Sequence, residues 1–416
     1  MSNVAVSNTA PISAAQVRVV VLCALVTLIE GIDLTLIPLL GPKIVETWAI
    51  SPDAFGIILS SGPIGLIAGG LGIGYLADRI GRRNALIAAM ALMTVATLAT
   101  TLAHDVPTML VCRLVTGISF GGVIPVAVAL VSESLPPRVR ASVVAFVFLG
   151  QAGGGLLAAL LVKVPPADAP WQTCVYYVAA GCAFVTVLLV ALLPESPRYL
   201  LVRGGRRNHL RDLFSDGRAM GTALLWATFI GVCAPVSFFT NWLTSMFTHA
   251  GKPISLGVNA IAFYSAGAML GGLVLPLFAR RWRVNSVLLA SIILAVVSCV
   301  AMGAVLQYSD TVTLTVATLC GVFVSGCFFM LYPPAARFYP THIRSTGIGA
   351  AVAFGRIGNM VSPMAAGFML GASWDPSTVF YAMAAPMVLS CITLVVFDRL
   401  TSNVTATAEL DAPEEA

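Results

Sequence analysis

The sequence predicts an all-α membrane protein with twelve transmembrane helices in two six-helix halves. Three observations carry that expectation. Of 416 residues, 58% are hydrophobic and only 10% are charged, where a soluble domain is about a quarter charged; mean hydropathy is +0.93. Apolar stretches follow one another from residue 17 to residue 398, each near the 20 or so residues needed to cross a hydrocarbon layer of roughly 30 Å. The stretches of the second half also echo those of the first. Strands of an outer-membrane barrel would alternate apolar and polar residues, and these runs do not.

Pro, Gly or charge breaks the pattern at each boundary and sets the spans in order. The first, 17–42, is too long for the core of a signal peptide and is read as a permanent span. Pro52-Asp53 opens 54–77, and Arg82-Arg83 opens 84–103. Asp105 and Pro107 open 107–132, Arg140 opens 141–163, and Pro170 opens 171–193. After a polar connection at 194–218 come 219–247, 257–279, 285–306, 311–336, 345–371 and 376–398. The expected organisation is therefore a tail at 1–16, a bundle at 17–193, a linker at 194–218, a bundle at 219–398 and a tail at 399–416. The last of these, short and ending in acids, is expected to lack fixed structure.

Charge sets the orientation. Arginines follow spans two, four, six, eight and ten, whereas the opposite loops carry only Lys43, Lys163 and Lys252. By the positive-inside rule both termini and the linker are cytoplasmic. The nine cysteines lie scattered in spans without metal or disulfide spacing and read as small packing residues. No cofactor, metal or nucleic-acid partner is expected, and the protein is expected to work as a monomer in the lipid bilayer.

The halves align segment by segment, with a shift of two residues between the matched segments. Gly69-Gly70-Leu71, Ala77 and Arg79 match Gly271-Gly272-Leu273, Ala279 and Arg281 at an offset of 202; Gly117, Pro136 and Arg140 match Gly321, Pro340 and Arg344 at 204. Two parallel six-span repeats are a transporter architecture with its site at the midplane between halves.

Residues 28–38 read Leu-Ile-Glu-Gly-Ile-Asp-Leu-Thr-Leu-Ile-Pro. Glu30 and Asp33, three apart, share one helix face, and Asp33 falls near or just past the midplane at about 1.5 Å of rise per residue. A charged acid there costs about 2.5–3.5 kcal/mol and must face a cavity or a partner. Burial and a like charge nearby both favour the neutral form, so the pair is a candidate proton carrier. The alternative is a fixed ion pair with an arginine of another span. Arg356, twelve residues past Arg344, also lies near the midplane; its planar fork suits a bidentate grip on a carboxylate, or else pairs with Asp33 or Glu30. Arg113 sits nearer the outer side of span four, where packing, proton coupling or substrate contact are open.

Asn241, Trp242, Tyr264, Tyr332 and Phe354 are candidates to hold a ring, although aromatics at helical spacing more often fill a core. Asp78, Arg79, Arg82, Glu133, Arg140, Arg337 and Arg344 stand at cytoplasmic span ends. They are solvated topology signals or, given their recurrence, an ion-pair latch of the inner gate. Paired glycines such as Gly121-Gly122 allow close helix contact.

Gly74-Tyr-Leu-Ala-Asp78-Arg79-Ile-Gly81-Arg82-Arg83 resembles the loop 2–3 signature of the major facilitator superfamily. Arg113-Leu-Val-Thr-Gly117 with Gly121-Gly122, and Pro194-Glu195-Ser196-Pro197-Arg198, resemble its signatures in span four and after span six. Glu30-Gly-Ile-Asp33, Tyr339-Pro-Thr-His-Ile-Arg344 and Gly355-Arg356-Ile-Gly358 are similar to the aromatic acid:proton symporter family. Glu30 stands where many members have Asp, and Arg280 and Arg281 stand where an acid is usual. The resemblance implies the major facilitator fold and proton-coupled import of an aromatic carboxylate, with proton and aromatic acid as partners, across a bacterial inner membrane. Another organic anion or a sugar is the alternative cargo. A channel or an intramembrane enzyme is a different class, and no nucleophile–base or metal constellation supports an enzyme.

Overall fold

The computed structural model describes residues 12–166, 168–195, 210–215, 217–340 and 343–410. Most of the linker, including Ser196, Pro197 and Arg198, lies outside the described residues. Six long helices come first: α1 (Ala14–Trp48), α2 (Pro52–Ile80), α3 (Arg82–Thr100), α4 (Val106–Ser134), α5 (Pro137–Leu161) and α6 (Gln172–Leu192). After a 3₁₀ turn at Leu210–Leu213 come α7 (Ala219–His249), α8 (Ile254–Phe278), α9 (Val284–Val305), α10 (Asp310–Phe338), α11 (Arg344–Gly371) and α12 (Pro376–Leu410). Each predicted span falls on one helix.

The caps are written locally. Ser13 and Gln16 form a reciprocal capping box at the start of α1, and Asp105 accepts from the Thr108 amide at 2.9 Å to cap α4. Ten of the helices are apolar enough over 18 residues to cross a membrane. α5 contributes the shorter apolar stretch Phe146–Leu161, and α11 is built largely of small residues around Arg356.

Three boundaries differ from the sequence expectation. α1 passes Pro38 and Pro42 and reaches Trp48, because packed neighbours make proline tolerable inside a membrane helix. α10 is not a uniform helix: a π turn at Gly321–Ser325 interrupts it. The tail expected to lack structure is helical to Leu410; after Arg399 no Gly or Pro occurs until Pro413, so nothing in the sequence stops the helix.

The repeat reappears in the packing, down to which carbonyl each glycine meets. A Cβ on Gly65 or Gly69 of α2 would strike the carbonyl of Leu114 or Ile118 on α4; one on Gly267 or Gly271 of α8 would strike that of Thr318 or Val322 on α10. Likewise Gly154 of α5 lies on the Leu28 carbonyl of α1, and Gly358 of α11 on the Ile230 carbonyl of α7. α1 and α2 map onto α7 and α8 at the offset of 202, and α4 and α5 onto α10 and α11 at 204. Helices in a membrane gain no hydrophobic attraction for one another, so such backbone-close contacts hold each half together.

The halves meet mainly along two seams, α2 against α11 and α5 against α8, with α1 also touching α7. The repeat exchanges one seam for the other. α3, α6, α9 and α12 lie outermost and expose large apolar side chains, among them Val95, Phe184, Val297 and Ile392. Away from the termini the seams are tight: a Cβ on Gly56 would come within 2.9 Å of the Pro363 carbonyl and 3.1 Å of the Gly367 Cα. Lys163 Nζ there donates to Asn259 Oδ1 at 2.6 Å, linking the end of α5 to α8. Toward the end that carries both termini, Gly72 of α2 and Gly349 of α11 are exposed, with no described atom within 4 Å of a Cβ placed on either. The cleft between the halves therefore opens at the terminal end.

Candidate functional site

Glu30 and Asp33 are each 1% exposed, on a helix that touches both halves. They take different partners. Asp33 turns into the first half, where Thr97 Oγ1 donates to its Oδ1 at 2.9 Å and Arg113 Nη1 to its Oδ2 at 3.3 Å. The other arm of Arg113 reaches Thr100 Oγ1 at 3.3 Å and Thr116 Oγ1 at 3.4 Å. Both hydroxyls give their own protons to backbone carbonyls one turn back, which turns their lone pairs toward the guanidinium. A buried ion pair holds only when its remaining polar atoms find partners, and the three threonines supply most of them.

The sequence offered Arg356 as a partner for Asp33; the structure gives Asp33 to Arg113 instead. Arg113, about two turns into α4, reaches the level of Asp33 because α1 and α4 run side by side within one half.

Glu30 faces the second half. Its carboxylate lies within electrostatic range of the Arg356 guanidinium across the interface without forming an ion pair inside 4 Å, and Tyr332 and Cys233 lie near the cation. Glu30 Oε2 is buried without a hydrogen-bond partner among the described residues. Arg356 Nη1 lies 3.5 Å from the Leu66 carbonyl of α2, at the limit of a hydrogen bond. Tyr332 packs against Phe148 of α5 at 5.8 Å and against Phe328 and Phe229 of its own half at 5.9 and 6.3 Å. The cation is thus half-buried at the seam, among rings contributed by both halves. Chemically, the arrangement can bind an anion at Arg356 and hold protons on two acids within one helical turn.

Other sequence candidates stand apart from Arg356. Tyr264 lies face to face with Phe239 at 5.4 Å, and its hydroxyl bonds Ser325 at 2.6 Å inside the second half. Phe354 stacks on Trp226 at 3.7 Å, which occupies one ring face. Asn241 donates to Ser237 one turn back on α7. Trp242 Nε1 donates to the Pro363 carbonyl at 3.0 Å; Pro363 is seven residues past Arg356, about 10 Å along α11. Reading the sequence alone missed Phe148, Phe229, Cys233 and the three threonines. A Thr or Phe in an apolar span carries no signal of its own, because both are common there for packing.

At the terminal end, Arg82 Nε pairs with Glu133 at 3.7 Å and Arg82 Nη1 donates to the Ala77 carbonyl at 3.2 Å. Arg140 donates to the Leu135 carbonyl and Arg344 to the Tyr339 carbonyl, at 3.1 and 3.2 Å, equivalent contacts 204 residues apart. Arg83 Nε and Nη2 cap the end of α6 on the Leu193 and Val190 carbonyls. Arg79 and Arg337 are exposed, and the Asp78 side chain lies outside the described residues. These contacts lie within each half, not between halves, as expected at an open end.

The comparisons bear on this geometry. A family model for the major facilitator superfamily matches residues 23–335 and, overlapping it, 254–414. The chain belongs to the major facilitator superfamily. Within it, the 3-(3-hydroxy-phenyl)propionate transporter of Escherichia coli K12 is 34% identical over 93% of this chain and 95% of its own. The 4-hydroxybenzoate transporter PcaK of Pseudomonas putida is 29% identical over 96% of both. These relatives match the aromatic acid:proton symporter family. Among solved structures, the E. coli xylose transporter XylE superposes with a TM-score of 0.76 at 16% identity, over 92% of this chain and 98% of its own. A bacterial homologue of the lysosomal transporter Spinster reaches 0.74 at 16%, over 93% and 97%. The protein is a multi-pass membrane transporter and not an enzyme.

Proposed function

We propose that this transporter carries an aromatic carboxylate inward together with protons, by alternating access across a bacterial inner membrane, with both termini cytoplasmic. The observation that carries the reading is the split of the two α1 acids: Asp33 on Arg113 within one half, Glu30 facing Arg356 of the other. The substrate class comes from the relatives that match along nearly their whole length. The arginines at the terminal end support the orientation, so the open cleft faces the cytoplasm.

The steps follow from charge. A substrate carboxylate arriving at Arg356 competes with Glu30 for the same cation. Displaced and buried, Glu30 takes a proton, since an unpaired carboxylate in a low-dielectric site favours its neutral form. Phe148 and Tyr332 supply apolar faces for the ring from opposite halves, so loading closes one half on the other. Asp33, a turn away, is the second proton site; protonating it releases Arg113 and loosens α1 from α4. When the substrate leaves, Arg356 reclaims Glu30 and expels its proton on the side to which the cleft is open.

The test is direct binding to purified protein, comparing benzoate, 4-hydroxybenzoate and 3-(3-hydroxyphenyl)propionate with their neutral amides. Arg356→Ala is expected to abolish tight binding of the preferred acid. Arg356→Lys keeps the charge, loses the planar fork and binds more weakly than wild type. Wild-type affinity in Arg356→Ala, or amides bound as tightly as acids, would overturn the assignment.

A further inference from the structure

A carboxamide faces the central site from the wall opposite Arg356. Gln151 lies midway along α5, and its backbone carbonyl is the atom that a Cβ on Gly31 of α1 would strike. It therefore sits at the depth of Glu30 and Asp33. The lipid side of α5 is marked by Phe146, Leu157 and Leu160, which are 58%, 41% and 50% exposed. At 3.6 residues per turn, Gln151 points about 140°, 120° and 180° away from them. Its side chain is nevertheless only half-buried, so the surface it keeps is turned inward, to the cleft between the halves. Phe148, one turn earlier on the same side of α5, meets Tyr332 of the other half at 5.8 Å.

The repeat fixes what stands opposite. At the offset of 204, α5 maps onto α11 and Ala152 is the counterpart of Arg356. Gln151 and Arg356 thus meet the cleft at one depth, from opposite halves. A carboxamide in a membrane span normally takes a partner; Asn241, for example, donates to the Ser237 carbonyl at 2.8 Å. The Gln151 amide bonds none of the described residues. Glu30 and Asp33, on either side of the Gly31 contact, would repel a second carboxylate brought to this place. A hydroxyl both donates and accepts, as the amide does, and needs no counter-charge.

We propose that Gln151 reads a hydroxyl on the ring of the cargo and so sets a preference for hydroxylated over unsubstituted aromatic acids. The proposal rests on the reading of Arg356 as the carboxylate anchor. With its carboxylate on Arg356 and its ring on Phe148 and Tyr332, the cargo presents its far edge to Gln151. A hydroxylated acid then ties one half to the other across the cleft. An unsubstituted acid leaves the amide desolvated without a partner, a cost that falls on closure.

The experiment measures direct binding to purified protein for two matched pairs, benzoate with 4-hydroxybenzoate and 3-phenylpropionate with 3-(3-hydroxyphenyl)propionate. Wild type is expected to favour the hydroxylated member of at least one pair by about 3- to 10-fold, the range of one net hydrogen bond. Gln151→Met is close in shape but cannot bond the hydroxyl. It is expected to bring that ratio close to one while binding the unsubstituted acid about as wild type does. Gln151→Asn, which draws the amide back by one methylene, is expected to fall between. Equal weakening of both members would make Gln151 a structural residue, and an unchanged ratio in Gln151→Met would place the hydroxyl elsewhere. Either result overturns the proposal while the carboxylate anchor stands, as does a wild type that prefers neither hydroxylated acid. If Arg356→Ala binds the acids as tightly as wild type, or wild type binds none of them, the anchor fails and the proposal with it.

Discussion

Replacing Asp33 with Asn tests the pairing of α1 with α4. The carboxylate lies 3.3 Å from Arg113, with side chains 1% and 9% exposed. At an effective dielectric constant near 20, two unit charges at that distance attract by about 5 kcal/mol. Thr97 can still donate to the amide oxygen of the introduced side chain, but the amide nitrogen then points donor against donor at the guanidinium. Arg113 is left buried and uncompensated, which costs about 3–5 kcal/mol. Arg113→Gln strands Asp33 in the same way. Removing both charges in Asp33→Asn/Arg113→Gln leaves two amides able to bond each other, so the double variant is expected to recover most of the stability lost by either single one. Thermal unfolding in detergent ranks the four proteins. Transport separates structure from coupling: the double variant folds but accumulates less substrate against a gradient than wild type, because Glu30 is then the one α1 acid left to carry a proton. Exchange of labelled for unlabelled substrate, which needs no net proton movement, is retained. Two additive stability losses would refute the ion pair, and accumulation by Asp33→Asn undiminished from wild type would refute the proton role.

Further outcomes are expected. Thr97→Val removes the donor to Asp33 Oδ1 and is expected to cost about 1–3 kcal/mol, with accumulation reduced more than exchange; equal loss of both would make Thr97 purely structural. Gly65→Ala on α2, driven into the Leu114 carbonyl, is expected to destabilise by about 1–3 kcal/mol or more, whereas Gly349→Ala, with open space around it, is neutral; melting curves decide. Gly56→Leu, which drives a side chain into the Pro363 carbonyl, is expected to hold the α2–α11 seam apart at that end and to slow transport in proteoliposomes. Wild-type transport by Gly56→Leu would mean that closing this end of the α2–α11 seam is not part of the cycle.

The architecture was legible because a bilayer leaves helices few choices: length, Pro, Gly and charge mark each crossing, and repeated glycines mark the halves. Glu30, Asp33 and Arg356 were legible because charge in an apolar run demands a reason. What the sequence hid was pairing. Asp33 and Arg113 are 80 residues apart, and the depth argument favoured Arg356, so only the packing of α1 on α4 could choose. Phe148 was hidden because a ring on a membrane helix has the same spacing whether it meets lipid or cargo. The π turn in α10 was hidden because Gly321–Ser325 contains no residue that forbids a regular helix.

The contacts of glycine on carbonyl inside each half have a mechanical meaning. Side chains that interlock can swap rotamers and slide; a main chain lying directly on another has no such play. Each half behaves as a stiff lever, and the seams, where α2 meets α11 and α5 meets α8, are the fulcrum. Because those seams exchange under the repeat, parting them at one end presses them together at the other. A leak through both ends at once would require bending a lever, and the glycines make that the stiffest deformation the molecule has.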